Sequence, residues 1–315
     1  MIERAVQSLL NRWPAIKDGR ATLINLSENH TFRIDSADGG RHILRLHRPF
    51  YHQRAAIESE LDWVAALRES GGLPVPRPIA GADGELVQDV EAEGISRRFA
   101  VLFAYENGEE PHEKDDLLPL FEILGAYSAR NHLQSASYAP PRPIVRPVWD
   151  EHVLDSDGIW GDWRLAPGAD AERESLERLS ARLQADLAAY GKGRERFGLI
   201  HADMRLANLL VDGEQVTLID FDDCGFGWFA YDFAAAVSFI DDQAVLPGLK
   251  AAWLKGYLPL RPLAEDDIRA METLVLLRRM LLLAWTGTHA ETDLARSQAH
   301  LAALTARLGE AYMAQ

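Results

Sequence analysis

Through the first hundred residues, short runs in which apolar and polar positions alternate are separated by turn-forming residues, the period-two signature of β-strands. Ala21 to Leu26 and Thr31 to Asp35 are two such runs around Ser27-Glu28-Asn29-His30. A third, His42 to Leu46, follows the turn Ala37-Asp38-Gly39-Gly40, and the three predict a meander. Alternation puts Ile43, Arg45 and His47 on one face of the third strand and Leu44 and Leu46 on the other. The spacing then becomes that of an amphipathic helix from Arg54 to Ser70, and Gly71 to Pro78 (GGLPVPRP) must be extended because its prolines cannot continue a helix. Arg97 to Tyr105 is nearly continuous in apolar residues, as expected of a central strand, and leads into a hinge at Ala104 to Gly108.

Beyond this point helical spacing dominates. Leu117 to Leu133 reads as a helix, Ala139 to Pro147 as a proline-rich crossing, and Leu274 to Trp285 as a buried helix interrupted by Arg278 and Arg279. Between them Gly198 to Ile200 enters a polar loop, Leu209 to Val211 leaves it, Asp212-Gly213 turns, and Val216 to Ile219 returns as the second strand of a hairpin. The pattern predicts an α+β chain, with residues 1–105 as a small antiparallel-sheet lobe and 106–315 as a larger, mainly helical lobe.

Composition narrows the partners. At 315 residues and 47% hydrophobic, the chain can build two lobes with a real core. The single Cys224 excludes an intrachain disulfide and a Cys-based zinc site, and fits a reducing, cytoplasmic location. The first 13 residues form an amphipathic helix without the apolar core of a signal peptide, and Leu274 to Trp285 is too short to span a bilayer, so no membrane partner is expected. A net charge of -15 argues against nucleic acid. That charge is uneven: from Leu206 to Leu249 there is no Lys or Arg, while Asp212, Glu214, Asp220, Asp222, Asp223, Asp232, Asp241 and Asp242 are acidic. Such an excess would attract a cationic substrate, or serves only as a solvated face.

The chemistry concentrates between Leu199 and Gly225, LIHADMRLANLLVDGEQVTLIDFDDCG. His201, Asp203 and Asn208 form H-x-D-x-x-x-x-N, and Asp220 opens D-F-D after the second hairpin strand. Phosphoryl transfer needs a carboxylate to orient the attacking hydroxyl and oxygen ligands to hold Mg²⁺ against the phosphates. The hairpin brings both ends of this segment together, so that Asp203, Asn208 and Asp220 can converge.

At these residues the chain resembles the aminoglycoside phosphotransferase and choline kinase family, whose fold is bilobal and protein-kinase-like. The pattern is closest to bacterial stress response kinase A and the homoserine kinase type of phosphotransferase, through S-x-N at Ser27-Glu28-Asn29, the strand ending L-H-R-P, and D-F-D-D. The resemblance implies Asp203 as catalytic base, Asn208 and Asp220 as Mg²⁺ ligands, and ATP as phosphate donor. His201 would order the loop, and Asp232 would hold it through backbone hydrogen bonds. Arg45 takes the place of the family's usual Lys on the phosphates, with Glu60 as its ion-pair partner, although Glu58 lies two residues earlier and only one can face the sheet. Ser27 and Asn29 would lie in a glycine-poor loop covering the phosphates, and Phe103 and Tyr105 would wall the adenine.

The acceptor side is less determined. Trp149, Trp160 and Trp163 form a cluster that is either an acceptor wall or, by the usual fate of aromatic clusters, a buried cap. His289, Glu291 and Asp293 close the helix in polar residues and are candidate acceptor contacts. The expected activity is transfer of the γ-phosphate to a hydroxyl of a small molecule: an amino alcohol, an aminoglycoside or another antibiotic-like acceptor. Its rivals are a serine/threonine protein kinase and, from a different class, a nucleotide-binding pseudokinase, which only the Arg-for-Lys departure at Arg45 favours.

Overall fold

The computed structural model describes residues 2–26, 29–71, 73–92, 95–289, 295, 298 and 300–315. Along the chain, α1 (Ile2–Leu9) precedes the strands β1 (Arg20–Leu26), β2 (His30–Asp35) and β3 (Arg41–Leu46). Then come α2 (Arg54–Gly71), β4 (Pro78–Ile79), β5 (Val87–Ala92), β6 (Ile95–Ala104), α3 (Leu117–Ser137), β7 (Val148–Trp149) and α4 (Arg173–Tyr190). β8 (Phe197–Ile200), β9 (Leu209–Asp212), β10 (Gln215–Leu218) and β11 (Gly225–Trp228) lead to α5 (Tyr231–Ala236), α6 (Leu246–Tyr257), α7 (Glu265–Thr288) and α8 (Leu301–Met313). The chain divides into two units: Met1–Glu110 with Tyr138–Arg146 and Leu209–Asp222, and Pro111–Ser137 with Pro147–Asn208 and Asp223–Gln315.

In the first unit the strand order is β1-β2-β3-β6-β4, with β5 also on β6. The meander registers antiparallel, Thr31 opposite Arg45 and Arg45 opposite Val101. Alternation along β3 then separates two apolar clusters. Leu44 and Leu46 join Phe32, Ile34 and Leu102 against Val6, Leu9, Leu10, Trp13 and Ile16 from the N-terminal helical segment. Ile43 packs with Val101 and Phe103 against Ile57 and Leu61 of α2. Burying side chains of this size is worth about 1.5–3 kcal/mol each. The β9–β10 hairpin belongs to the same unit, where Val211 bonds Glu109 and Leu218 donates its N–H to the Pro74 carbonyl. The extended GGLPVPRP segment therefore supplies a backbone acceptor that a helix could not.

In the second unit, β11 lies between β7 and β8, parallel to β7 and antiparallel to β8. The strand entering the polar loop thus pairs with β11, while β9 and β10 pair only with each other in their sheet. β7 and the glycine-interrupted β11 are too short for periodicity to announce. All of α5 is buried, as is most of α7 from Ala270 to Thr286. Among the described residues no helix is long and apolar enough to cross a membrane.

α3 and α6 approach so closely that both carry glycine at the contact. A Cβ on Gly256 would fall 1.8 Å from the Glu122 carbonyl oxygen, and one on Gly125 1.9 Å from that of Trp253. Backbone cannot yield as a side-chain tip can. Gly256→Ala should therefore lower unfolding stability by about 2 kcal/mol or more, beyond its gain in helix propensity. Urea unfolding checks this, and an unchanged midpoint would contradict the contact.

Candidate active site

The loop after β8 begins with a strained residue. Ala202 has φ +67°, a left-handed conformation that costs a non-glycine residue of the order of 1–3 kcal/mol. The carboxylate of Asp232, fully buried on α5, holds it there: Oδ1 accepts from Ala202 N at 2.9 Å and Oδ2 from His201 N at 3.3 Å. Oδ2 also lies 3.0 Å from Nε2 of His132 on α3. Because a carboxylate only accepts, Nε2 carries the hydrogen, and Nδ1 accepts from the Tyr257 hydroxyl at 2.9 Å. Burial pushes the His132 pKa down, against the opposing pull of Asp232, so the neutral ring persists. His201 contributes from inside the loop, its Nδ1 accepting from Asp203 N at 3.2 Å.

Asp203 follows. Asn208, on the 3₁₀ turn Leu206–Asn208, donates Nδ2 to both the carbonyl and Oδ2 of Asp203 at 2.7 Å. That commitment of the amide nitrogen turns the amide oxygen to other partners, the orientation a hard cation requires. Arg205 Nε reaches the same Oδ2 at 3.2 Å, and Arg278 of α7 pairs with Oδ1. Burial raises the Asp203 pKa, but Arg278, Arg205 and His201 outweigh it and hold the carboxyl at about 2. Asp203 is ionised at any physiological pH.

In the first unit, Arg45 is buried, and its Nη2 donates to Glu60 Oε1 at 2.5 Å and its Nη1 to Asp220 Oδ1 at 3.2 Å. Glu60 rather than Glu58 faces the sheet; Glu58 pairs with Arg54 and Arg142. Burial opposes the charge on Arg45, yet Glu60, Asp222 and Asp220 more than restore it. Its Nε and Glu60 Oε2 remain buried without hydrogen-bond partners. Asp220 has φ +61°, and its side chain is 46% exposed, enough to take a further ligand.

Asp222 ties this unit's loops together. It accepts from Asn29 Nδ2 at 2.9 Å, while Asn29 Oδ1 accepts from Arg48 N at 3.0 Å, so the Asn29 side chain is committed within the fold. Nδ1 of His47 and Nε2 of His52 lie 3.4 and 3.5 Å from Asp222 Oδ1, ion-pair distances too long for strong hydrogen bonds. Burial raises the Asp222 pKa, but His47, Arg45 and His52 carry it well below the carboxylate range. Phe103 packs with α2, and the Arg41 guanidinium stacks 4.1 Å over the Tyr105 ring. His289 caps α7 and stacks on Trp285 with ring centroids 4.6 Å apart. Ser27, Glu291 and Asp293 lie outside the described residues.

The model of the phosphotransferase enzyme family, APH, matches residues 21–263. The chain belongs to this family. A solved structure of a microcompartment-associated aminopropanol kinase is 40% identical, with a TM-score of 0.90, covering 99% of this chain and 97% of that one. The homoserine kinase of Gluconobacter oxydans (strain 621H) is 30% identical over 258 residues, 78% of this chain and 75% of that protein. The amicoumacin kinase of Bacillus subtilis (strain 168) is 26% identical over 270 residues, 81% and 76% respectively. The fold is the α+β protein-kinase-like one, and this family member is a kinase with an alcohol group as acceptor.

The sequence displayed Arg278, Asp222 and the A-x-x-H end of the helix at His132 without assigning any of the three residues a partner or a role. For Arg278 a signal existed, a charge inside an otherwise apolar helix, which a buried arginine can occupy only with partners. Trp149, Trp160 and Trp163 are buried, and Trp160 lies over the Arg278 guanidinium at 4.8 Å.

Removing the Asp232 acceptor strands two loop amides and His132. Asp232→Ala should cost about 3 kcal/mol or more in stability and reduce turnover with it. Thermal unfolding alongside a kinase assay checks both, and a stable, fully active variant would contradict this role.

Proposed function

We propose that the chain is an ATP- and Mg²⁺-dependent kinase for a small amino alcohol, with aminopropanol its first candidate acceptor. The observation that carries the reading is the ionised Asp203 carboxylate, fixed from both oxygens in a buried loop. Near full-length similarity to the aminopropanol kinase supports the acceptor class, and the net charge of -15 suits a cationic one.

In this reading the acceptor oxygen attacks the γ-phosphorus, the bond to the β–γ bridging oxygen breaks, and ADP leaves with that oxygen. The hydroxyl proton passes to Asp203 or to water. A carboxylate with a pKa of about 2 is a weak base, so Asp203 acts chiefly by orienting the hydroxyl, which suits a loose transition state in which the proton leaves late. Asn208 and Asp220 would hold Mg²⁺, which supplies charge neutralisation at the phosphates. Among the described residues there is no group of three or more His, Cys, Asp or Glu that could hold a metal ion. Arg45, with its unpartnered Nε, would bind α- and β-phosphate oxygens while Glu60 fixes it. Residues 1–105 would form the nucleotide-binding lobe and 106–315 the catalytic and acceptor lobe.

A protein acceptor is less well supported, because the named relatives above act on small molecules. Against a pseudokinase stands the complete set of Asp203, Asn208 and Asp220.

ADP release from Mg-ATP, measured against aminopropanol, homoserine, aminoglycosides and a generic protein, should be stimulated most by an amino alcohol. Stimulation by the protein alone would overturn the acceptor class. Asp203→Asn should keep ATP affinity while lowering turnover by about 10²-fold or more. Parental turnover in that variant would remove Asp203 from its assigned role. Asp220→Ala should weaken nucleotide binding only when Mg²⁺ is present, and unchanged binding would exclude it as a ligand.

A further inference from the structure

Arg278 and Arg279 sit side by side in α7, each with a side chain only 2–3% exposed, yet their charges end in different places. Arg279 is what a structural buried arginine looks like. Its Nη1 pairs with Asp241 at 2.5 Å and its Nε donates to Thr305 Oγ1 at 3.3 Å, both within the helical core. Arg278 instead spends its donors around the catalytic loop. Nε donates to Ser238 Oγ at 2.9 Å, Nη1 to the carbonyl of the strained Ala202 at 3.3 Å, and Nη2 to Asp203 Oδ1. Trp160 covers the guanidinium plane at 4.8 Å and so holds it from a third direction.

The consequence follows from counting acceptor sites. An ionised carboxylate offers about four lone-pair positions. Among the described residues, Asn208 and Arg205 take those on Oδ2, and Arg278 takes one on Oδ1. One position on Oδ1 remains. We propose that Arg278 is a positioning residue which, by occupying the other Oδ1 site and bracing Ala202, directs the acceptor hydroxyl to a single lone pair of Asp203. This rests on the role proposed above for Asp203. Trp160 thereby joins the acceptor machinery through Arg278, without having to touch the acceptor. Without Arg278, Oδ1 would present two equivalent directions, and the hydroxyl would spend less time in line with the γ-phosphorus; misplacement of about 1 Å can cost about 10²-fold in rate.

The test is a double-mutant cycle on the full chain with Mg-ATP and aminopropanol. Arg278→Ala should lower kcat by about 10²-fold while the KM for ATP stays near the parental value. Arg278→Lys keeps the charge but loses the fork, so it should fall between the two. Adding Arg278→Ala to Asp203→Asn should cause no further loss, because the first acts through the second. Arg279→Ala serves as the control for a purely structural arginine, with a lowered Tm and parental kcat in the folded fraction. Parental kcat in folded Arg278→Ala, or losses that multiply in the double variant, would overturn the inference while leaving Asp203 in place. Parental turnover in Asp203→Asn alone would overturn the functional reading and this inference with it.

Discussion

The loop that carries Asp203 depends on one buried carboxylate. Asp232 lies on α5, a helix buried at every position, and accepts the amides of His201 and Ala202 at 3.3 and 2.9 Å. Ala202 can stay in a left-handed conformation only while something repays its strain, and the next residue is Asp203. Behind Asp232 runs a chain of buried donors: Arg261 to the Tyr257 hydroxyl, Tyr257 to His132, and His132 to Asp232. Each link is a polar group removed from water, so each is costly unless its neighbour is in place. The backbone of the loop before Asp203 is thus tied to α3, α5 and α6, and inherits their rigidity.

Charge is handled the same way in both units. Burying an arginine is expensive, and the cost is recovered only by well-placed acceptors. In the first unit Arg45 is held by Glu60 and Asp220; in the second, Arg278 is held by Asp203, the Ala202 carbonyl and Ser238. Both arginines bond a carboxylate of the segment Leu199 to Gly225. An arginine at position 45 is understandable on this footing, since a fork can bond two carboxylates at once where an ammonium is a point charge. It also leaves Nε as an unpartnered buried donor.

What the sequence disclosed depended on how local each signal was. Asp203 and Asn208 are five residues apart in one turn, so their place in a single motif was legible, although the bond between their side chains was not among the expectations. The meander was legible because alternation survives in β2 and β3, and α2 because its apolar stripe faces a sheet. Contacts across long separations were not. Asn29 reaches Asp222 across 193 residues and Arg278 reaches Asp203 across 75, and no local pattern encodes either meeting. The Trp149–Arg164 segment illustrates the same limit. Its tryptophans announce burial, but that Trp160 covers the guanidinium of Arg278 is a tertiary fact. The Asn29 side-chain amide bonds Asp222 and the Arg48 backbone, a pairing that its loop position does not announce.

Phosphorus NMR of the protein with Mg-ATP and aminopropanol addresses the central claim most directly, because it identifies the bond that forms. The account predicts a phosphomonoester resonance that grows in step with ADP and requires the amino alcohol. Inorganic phosphate as the sole product, or ADP formed without any phosphate ester, would contradict it.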